Sequence, residues 1–169
     1  YYVVSLIGKT LVLLIAPINT IVISYLTKRK ERLTRSQFGK AVLAGGGVSL
    51  AFFVACQIGT PLFVWLFYRN LYESVKGIVT VVNLAQILGL FSAFLFILVL
   101  TFTDERWQLW IQLAHFCILL VSSVLAARTY GMMGFAVASL GANSLRVAAV
   151  VILGIVKAGK DKGDRNADR

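Results

Sequence analysis

Apolar residues run along this chain in long unbroken stretches, and short polar connections separate them. A helix needs about 20 apolar residues to cross a hydrocarbon core roughly 30 Å thick. Five stretches reach that length, at about 3–26, 41–68, 77–102, 107–127 and 132–156. None alternates apolar with polar as a barrel strand does, and a backbone group left unpaired in lipid costs several kcal/mol. The pattern therefore predicts an all-α polytopic membrane helix bundle, with five transmembrane helices over 1–156. The remaining segment, 157–169, offers nothing apolar to bury and is expected to be a polar tail.

Punctuation inside the stretches refines this picture. Pro17, in LIAPINTIVI, removes one helix hydrogen bond and predicts a kink, a possible hinge, with Asn19 and Thr20 beside it to bond the freed backbone groups. Pro61 lies near the end of the second stretch and is expected to shape that end. The glycines at 45–47 follow no strand and precede no GK[ST], so they suit close helix contact rather than a phosphate cradle.

Composition agrees with the pattern. Of 169 residues, 59% are hydrophobic and 14% charged, and the mean hydropathy is +0.83. The net charge of +10 would suit a nucleic-acid partner if it covered one solvated face. Instead the basic residues sit between apolar runs, where lysine and arginine mark the cytoplasmic side of a membrane protein, so no nucleic acid is expected. The connection 27–40 carries Lys28, Arg29, Lys30, Arg32, Arg35 and Lys40. With Arg106 and the tail residues Lys157, Lys160, Lys162, Arg165 and Arg169 it makes twelve on one side, against Arg69, Lys76 and Arg128 on the other. The first side is predicted to be cytoplasmic, which leaves the N-terminus external. The opening, YYVVSLIGKT, has neither an initiator methionine nor the features of a signal peptide, and is expected to continue a longer chain. Trp65, Phe67 and Tyr68 then fall at the outer boundary, Trp107 and Trp110 at the inner one.

The candidate chemistry is sparse. Cys56 and Cys117 are far apart and His115 is the single histidine, so neither metal nor cofactor is expected. The acidic residues, Glu31, Glu73, Asp104, Glu105, Asp161, Asp164 and Asp168, all fall outside the five stretches. A membrane glycosyltransferase needs acidic groups at a membrane face, and Asp104-Glu105 reads as an exposed turn, so no enzyme activity and no catalytic residue is expected.

One residue stands apart. Arg146 lies within GANSLRVAAVV, about 14 residues from one end of its stretch and 10 from the other, and its nearest acidic residue along the following chain is Asp161. An arginine near the bilayer midplane costs at least ~2.5 kcal/mol, so it is expected to face protein or a wet cavity. Ser139, Asn143 and Arg146 follow the i, i+4, i+7 spacing of one helix face, beside the small residues Gly134, Ala138 and Gly141. The stripe reads either as an anion-binding position in a cavity or as an arginine satisfied by neighbouring helices. Lys9, nearer a helix end, is expected to reach the boundary with its stem. Asn83 with Gln86, and Gln112 with His115, are further polar pairs that either join helices or line a cavity.

Two segments resemble a known family. PLFVWLFYRNLYESV (61–75) and YGMMGFAVASLGANSLR (130–146) are similar to recurring segments of polysaccharide flippases in the multidrug/oligosaccharidyl-lipid/polysaccharide exporter superfamily. Arg69-Asn70-Leu71 departs from the small glycine turn usual before the tyrosine, here Tyr72. The resemblance implies that 1–156 is the C-terminal lobe, helices eight to twelve, of a transporter with at least twelve helices in two lobes. It implies a flippase that moves a lipid-linked oligosaccharide across the cytoplasmic membrane by alternating access, with membrane lipid and the N-terminal lobe as its other partners. Arg146 would then meet the substrate's phosphate, and Asn143, Ser139, Gln112 and Asn83 its hydroxyls. A drug/cation antiporter of the same superfamily, which usually needs an acidic residue within the membrane, and a membrane scaffold subunit are the alternatives.

Overall fold

The computed structural model describes residues 3–6, 9–10, 20–21, 24, 34–100 and 103–158. The described residues are helical apart from short joints. Four complete helices follow one another: α1 Arg35–Phe67, α2 Arg69–Val75, α3 Val79–Leu100 and α4 Glu105–Ala158. Three of them, α1, α3 and α4, are long and apolar enough to cross a membrane, which makes the chain a multi-pass membrane protein by length and composition.

Three such helices, not five, correct the expectation from the sequence, for two reasons. The first stretch, including Pro17, falls largely outside the described residues. The fourth and fifth merge into α4, because the expected connection RTYG (128–131) stays helical up to a single non-helical residue, Gly131, at φ 61° and ψ −140°. Those angles mirror extended backbone, a region open essentially to glycine alone.

Helix α1 begins six residues before its apolar stretch because Thr34 and Gln37 form a capping box. The Gln37 N–H donates to Thr34 Oγ1 at 3.4 Å and the Thr34 N–H donates to Gln37 Oε1 at 3.1 Å. It runs through Pro61 and stops at Tyr68, whose φ of −136° leaves the helical region. The short α2 then returns the chain to the core, where Val75 is buried with Val64, Val79 and Val82.

Helix α3 is the centre of the bundle. Eleven of its 22 residues are buried, against four in the 33 residues of α1. The outward sides of the other helices show why. On α1, Leu43, Leu50, Val54, Ile58 and Leu62 are exposed, and on α4 so are Leu109, Leu113, Phe116, Leu120 and Val124. Each set follows the three-and-four spacing of one helix face. Continuous apolar faces of this kind suit lipid or another protein rather than water.

Contacts fix the directions. Asn83 meets Thr60 while Gly45 lies against the Phe94 ring, so α1 and α3 run antiparallel, with the glycine allowing the ring to approach. A straight α4 of 54 residues would extend about 80 Å. Instead, His115 meets Asn143 at 3.2 Å and the Lys157 ammonium lies 5.9 Å from the centre of the Trp107 ring. Helix α4 is therefore a hairpin of two arms, 105–130 and 132–158, folded at Gly131. A Cβ on Gly134 would strike the Ala126 carbonyl, which shows how closely the arms approach beyond the bend.

Ala136 clusters with Val79 and Val82, and Val150 with Leu95 and Leu98, so the second arm runs parallel to α3. Arg35, Leu100, Glu105 and Ala158 consequently gather at one end, with the basic side chains Arg35, Lys40, Arg106 and Lys157 near it. The opposite end holds Phe67, α2 and Gly131. There Lys76 donates to Glu73, and that exposed pair holds the Lys76 ammonium pKa above its ordinary value, first through the hydrogen bond and then through the carboxylate charge.

Candidate lipid-facing cavity

Where α3 and both arms of α4 meet near the basic end, they leave a cavity of about 540 Å³ open to the side. Ala93, Phe96, Ile97 and Leu100 come from α3, Gln108, Leu109 and Gln112 from the first arm, and Arg146 from the second. The walls are mainly apolar because α3 carries an almost unbroken apolar run there, FSAFLFILVL. Helical spacing explains the polar edge: Gln108 and Gln112 are four residues apart and share a face of the first arm.

Arg146 is half-buried and its guanidinium lies over the Phe96 ring, 5.0 Å from the ring centre. Its Nε is buried without a hydrogen-bond partner, and no described carboxylate forms an ion pair with it. A cation over an aromatic face gains about 0.5–2 kcal/mol, less than the ~2.5 kcal/mol or more that an arginine inside a membrane costs. Phe96 offsets only part of that cost.

The other polar candidates divide. Gln112 lines the cavity with Arg146 and is exposed. Gln108 is buried and donates to Thr103 Oγ1 at 3.2 Å. Asn83 lies away from the cavity, 1% exposed. It donates to the Cys56 carbonyl at 3.1 Å and to Gln57 Oε1 at 3.0 Å, and its Oδ1 accepts from Thr60 at 3.2 Å. Gln57 also donates to Thr80 Oγ1 at 2.9 Å, so this polar seam joins α1 to α3. Gln86 donates to the Ser5 carbonyl at 3.2 Å and ties the N-terminal residues to α3.

Asn143 is a junction. Its Nδ2 donates to the Ala85 carbonyl at 2.8 Å, which turns Oδ1 toward His115 Nε2 at 3.2 Å. The His115 proton on that contact is therefore on Nε2, and one amide links α3 to both arms of α4. Ser139 is buried one turn away. Of the stripe Ser139, Asn143 and Arg146, only Arg146 lines the cavity. Gly134 packs inside the hairpin, whereas Gly141 is exposed and a Cβ added to it would meet nothing from a neighbouring helix. Lys9 is exposed, and Pro17 lies outside the described residues.

The sequence reading missed Phe96 and Gln108. Gln108 is detectable from its spacing to Gln112, but nothing marks Phe96 among 11 phenylalanines, since its role depends on a guanidinium fifty residues away. Among the described residues, no cluster of histidine, cysteine or carboxylate side chains is placed to hold a metal. No protein-family model, curated protein or solved structure matches the chain.

Proposed function

We propose that the chain is a lobe of a membrane transporter that moves a lipid-linked oligosaccharide by alternating access, without covalent chemistry. The observation that carries this reading is Arg146: a half-buried guanidinium without an acidic partner, at the edge of an apolar-walled cavity. A lipid-linked oligosaccharide has a matching order of groups, with an apolar chain, a phosphate or pyrophosphate, and hydroxyls. The guanidinium pairs with phosphate through charge-assisted hydrogen bonds, Ile97, Leu100 and Leu109 suit the chain, and Gln112 offers an amide to a hydroxyl. The resemblance of 61–75 and 130–146 to polysaccharide flippases supports the same substrate class. Among the described residues no acidic side chain lines the cavity, so a cationic drug finds no counter-charge among them.

In this reading α4 crosses the membrane twice, since each arm is long enough alone and the bend at Gly131 returns the chain. The basic end is cytoplasmic, and a second lobe completes the path. The test is a flipping assay on lipid-linked oligosaccharide with the full protein, comparing wild type with Arg146→Lys and Arg146→Gln at matched membrane abundance. Loss of flipping in the glutamine variant and partial activity in the lysine variant are expected. Full activity in both overturns the role of Arg146.

A further inference from the structure

We infer that the cavity between α3 and the arms of α4 binds the phosphate of an anionic membrane lipid, entered sideways from the leaflet at the basic end. This rests on the chain being membrane-embedded and not on transport, because a lipid can occupy the site whether or not it is moved. Three observations on independent residues converge.

The first is unspent charge. Arg146 Nε is buried without a partner, and the ring of Phe96 occupies only one face of the guanidinium. The planar group therefore keeps N–H donors for an anion, and the neighbouring Gln112 amide, exposed on the same cavity, can donate beside it.

The second is the position of the mouth. Leu100 is the last residue of α3, and Leu109 stands four residues into α4. The rim thus lies within about one turn, roughly 6 Å, of the basic end. Leu100 is 47% exposed and Leu109 70% exposed, so the opening faces sideways. The guanidinium itself lies deeper, since Arg146 is 12 residues, about 18 Å, from the Ala158 end of its arm, so a lipid phosphate reaches it by being drawn inward past Leu109 and Ile97. A free hydrated phosphate would gain nothing from those walls, and the volume exceeds what that small ion fills, so the occupant is a lipid.

Charge around the mouth is the third. Arg35, Lys40, Arg106 and Lys157 belong to the same end, and outnumber the acidic Asp104 and Glu105 at the start of α4. Basic groups beside a membrane concentrate anionic lipid at its surface. Arg146 would then select the phosphate that enters between the helices.

Native mass spectrometry of the full chain, purified in mild detergent and titrated with dioleoylphosphatidylglycerol or dioleoylphosphatidylcholine, tests the site. Wild type is expected to retain the anionic lipid preferentially. Arg146→Gln should lower that retention about tenfold, the effect of one charge-assisted hydrogen bond, and Arg146→Lys should lower it less. Arg128→Gln, at the opposite end, should leave it unchanged. Leu109→Trp narrows the mouth at an exposed position without altering charge and should also lower it, so the proposal stays testable if Arg146→Gln fails to fold. Unchanged retention in Arg146→Gln or in Leu109→Trp overturns the proposal. An equal loss in Arg128→Gln overturns it too, as does displacement of the lipid by excess inorganic phosphate. Flipping lost with retention intact removes this site and leaves the transport reading; retention lost with flipping intact does the reverse.

Discussion

Asn83, Asn143 and Arg146 are alike in one respect: each is a polar side chain within a run fit for lipid. Their neighbours set them apart. Asn83 has both ends of its amide engaged by α1, and Asn143 has both engaged by α3 and His115, so these two hold helices together. Replacing Asn83 with alanine should destabilise the bundle by about 1 kcal/mol, the upper-middle of the range for interhelical hydrogen bonds in membranes. Thermal unfolding in detergent measures this, and unchanged stability would mean that the seam to α1 contributes nothing. Arg146 instead lacks a hydrogen-bonding partner for its Nε. That a polar residue in an apolar run needs a partner was legible from the sequence, because the cost of burying it is local. Which partner it has was not, since Cys56, Gln57 and Thr60 lie more than twenty residues from Asn83 and reach it only through packing.

At the scale of elements, α4 departs furthest from its sequence pattern. Two apolar runs and a polar joint suggest two helices and a loop, and the joint RTYG contains residues that suit a loop. Yet arginine, threonine and tyrosine all tolerate a helix, and in apolar surroundings the helix keeps their backbone groups bonded. The reversal is confined to Gly131, the one residue of the four able to adopt mirror-extended angles without strain. Gly131→Ala should therefore cost about 1–3 kcal/mol. Gly134→Ala should cost a comparable ~1–3 kcal/mol by overpacking, since its Cβ would meet the Ala126 carbonyl. Both are measured as lowered melting temperature, and a loss of proximity between Trp107 and Lys157, read by cross-linking, would show that the hairpin had opened. A stable Gly134→Ala variant would mean that the arms can separate at no cost.

For the molecule as a whole, α3 is enclosed and its neighbours face outward, so the bundle has an apolar exterior and two chemically different ends. With Cys56 and Cys117 replaced, a cysteine introduced at Tyr130, 76% exposed beside the bend, is expected to react with an impermeant maleimide from outside intact cells. A cysteine at Arg106 is expected to react only after permeabilisation. Labelling of both from one side would invalidate the hairpin crossing. The sequence by itself determined the helical class, the apolar runs and the separation of basic connections from sparse ones, because each follows from stretches of neighbouring residues and from the cost of placing backbone or charge in lipid. Only the tertiary structure decided that α3 is central, that α4 folds back at one glycine, and that Arg146 shares a side-opening cavity with Phe96 and Gln112. Those are relations between residues far apart along the chain, and packing, not local propensity, brings them together.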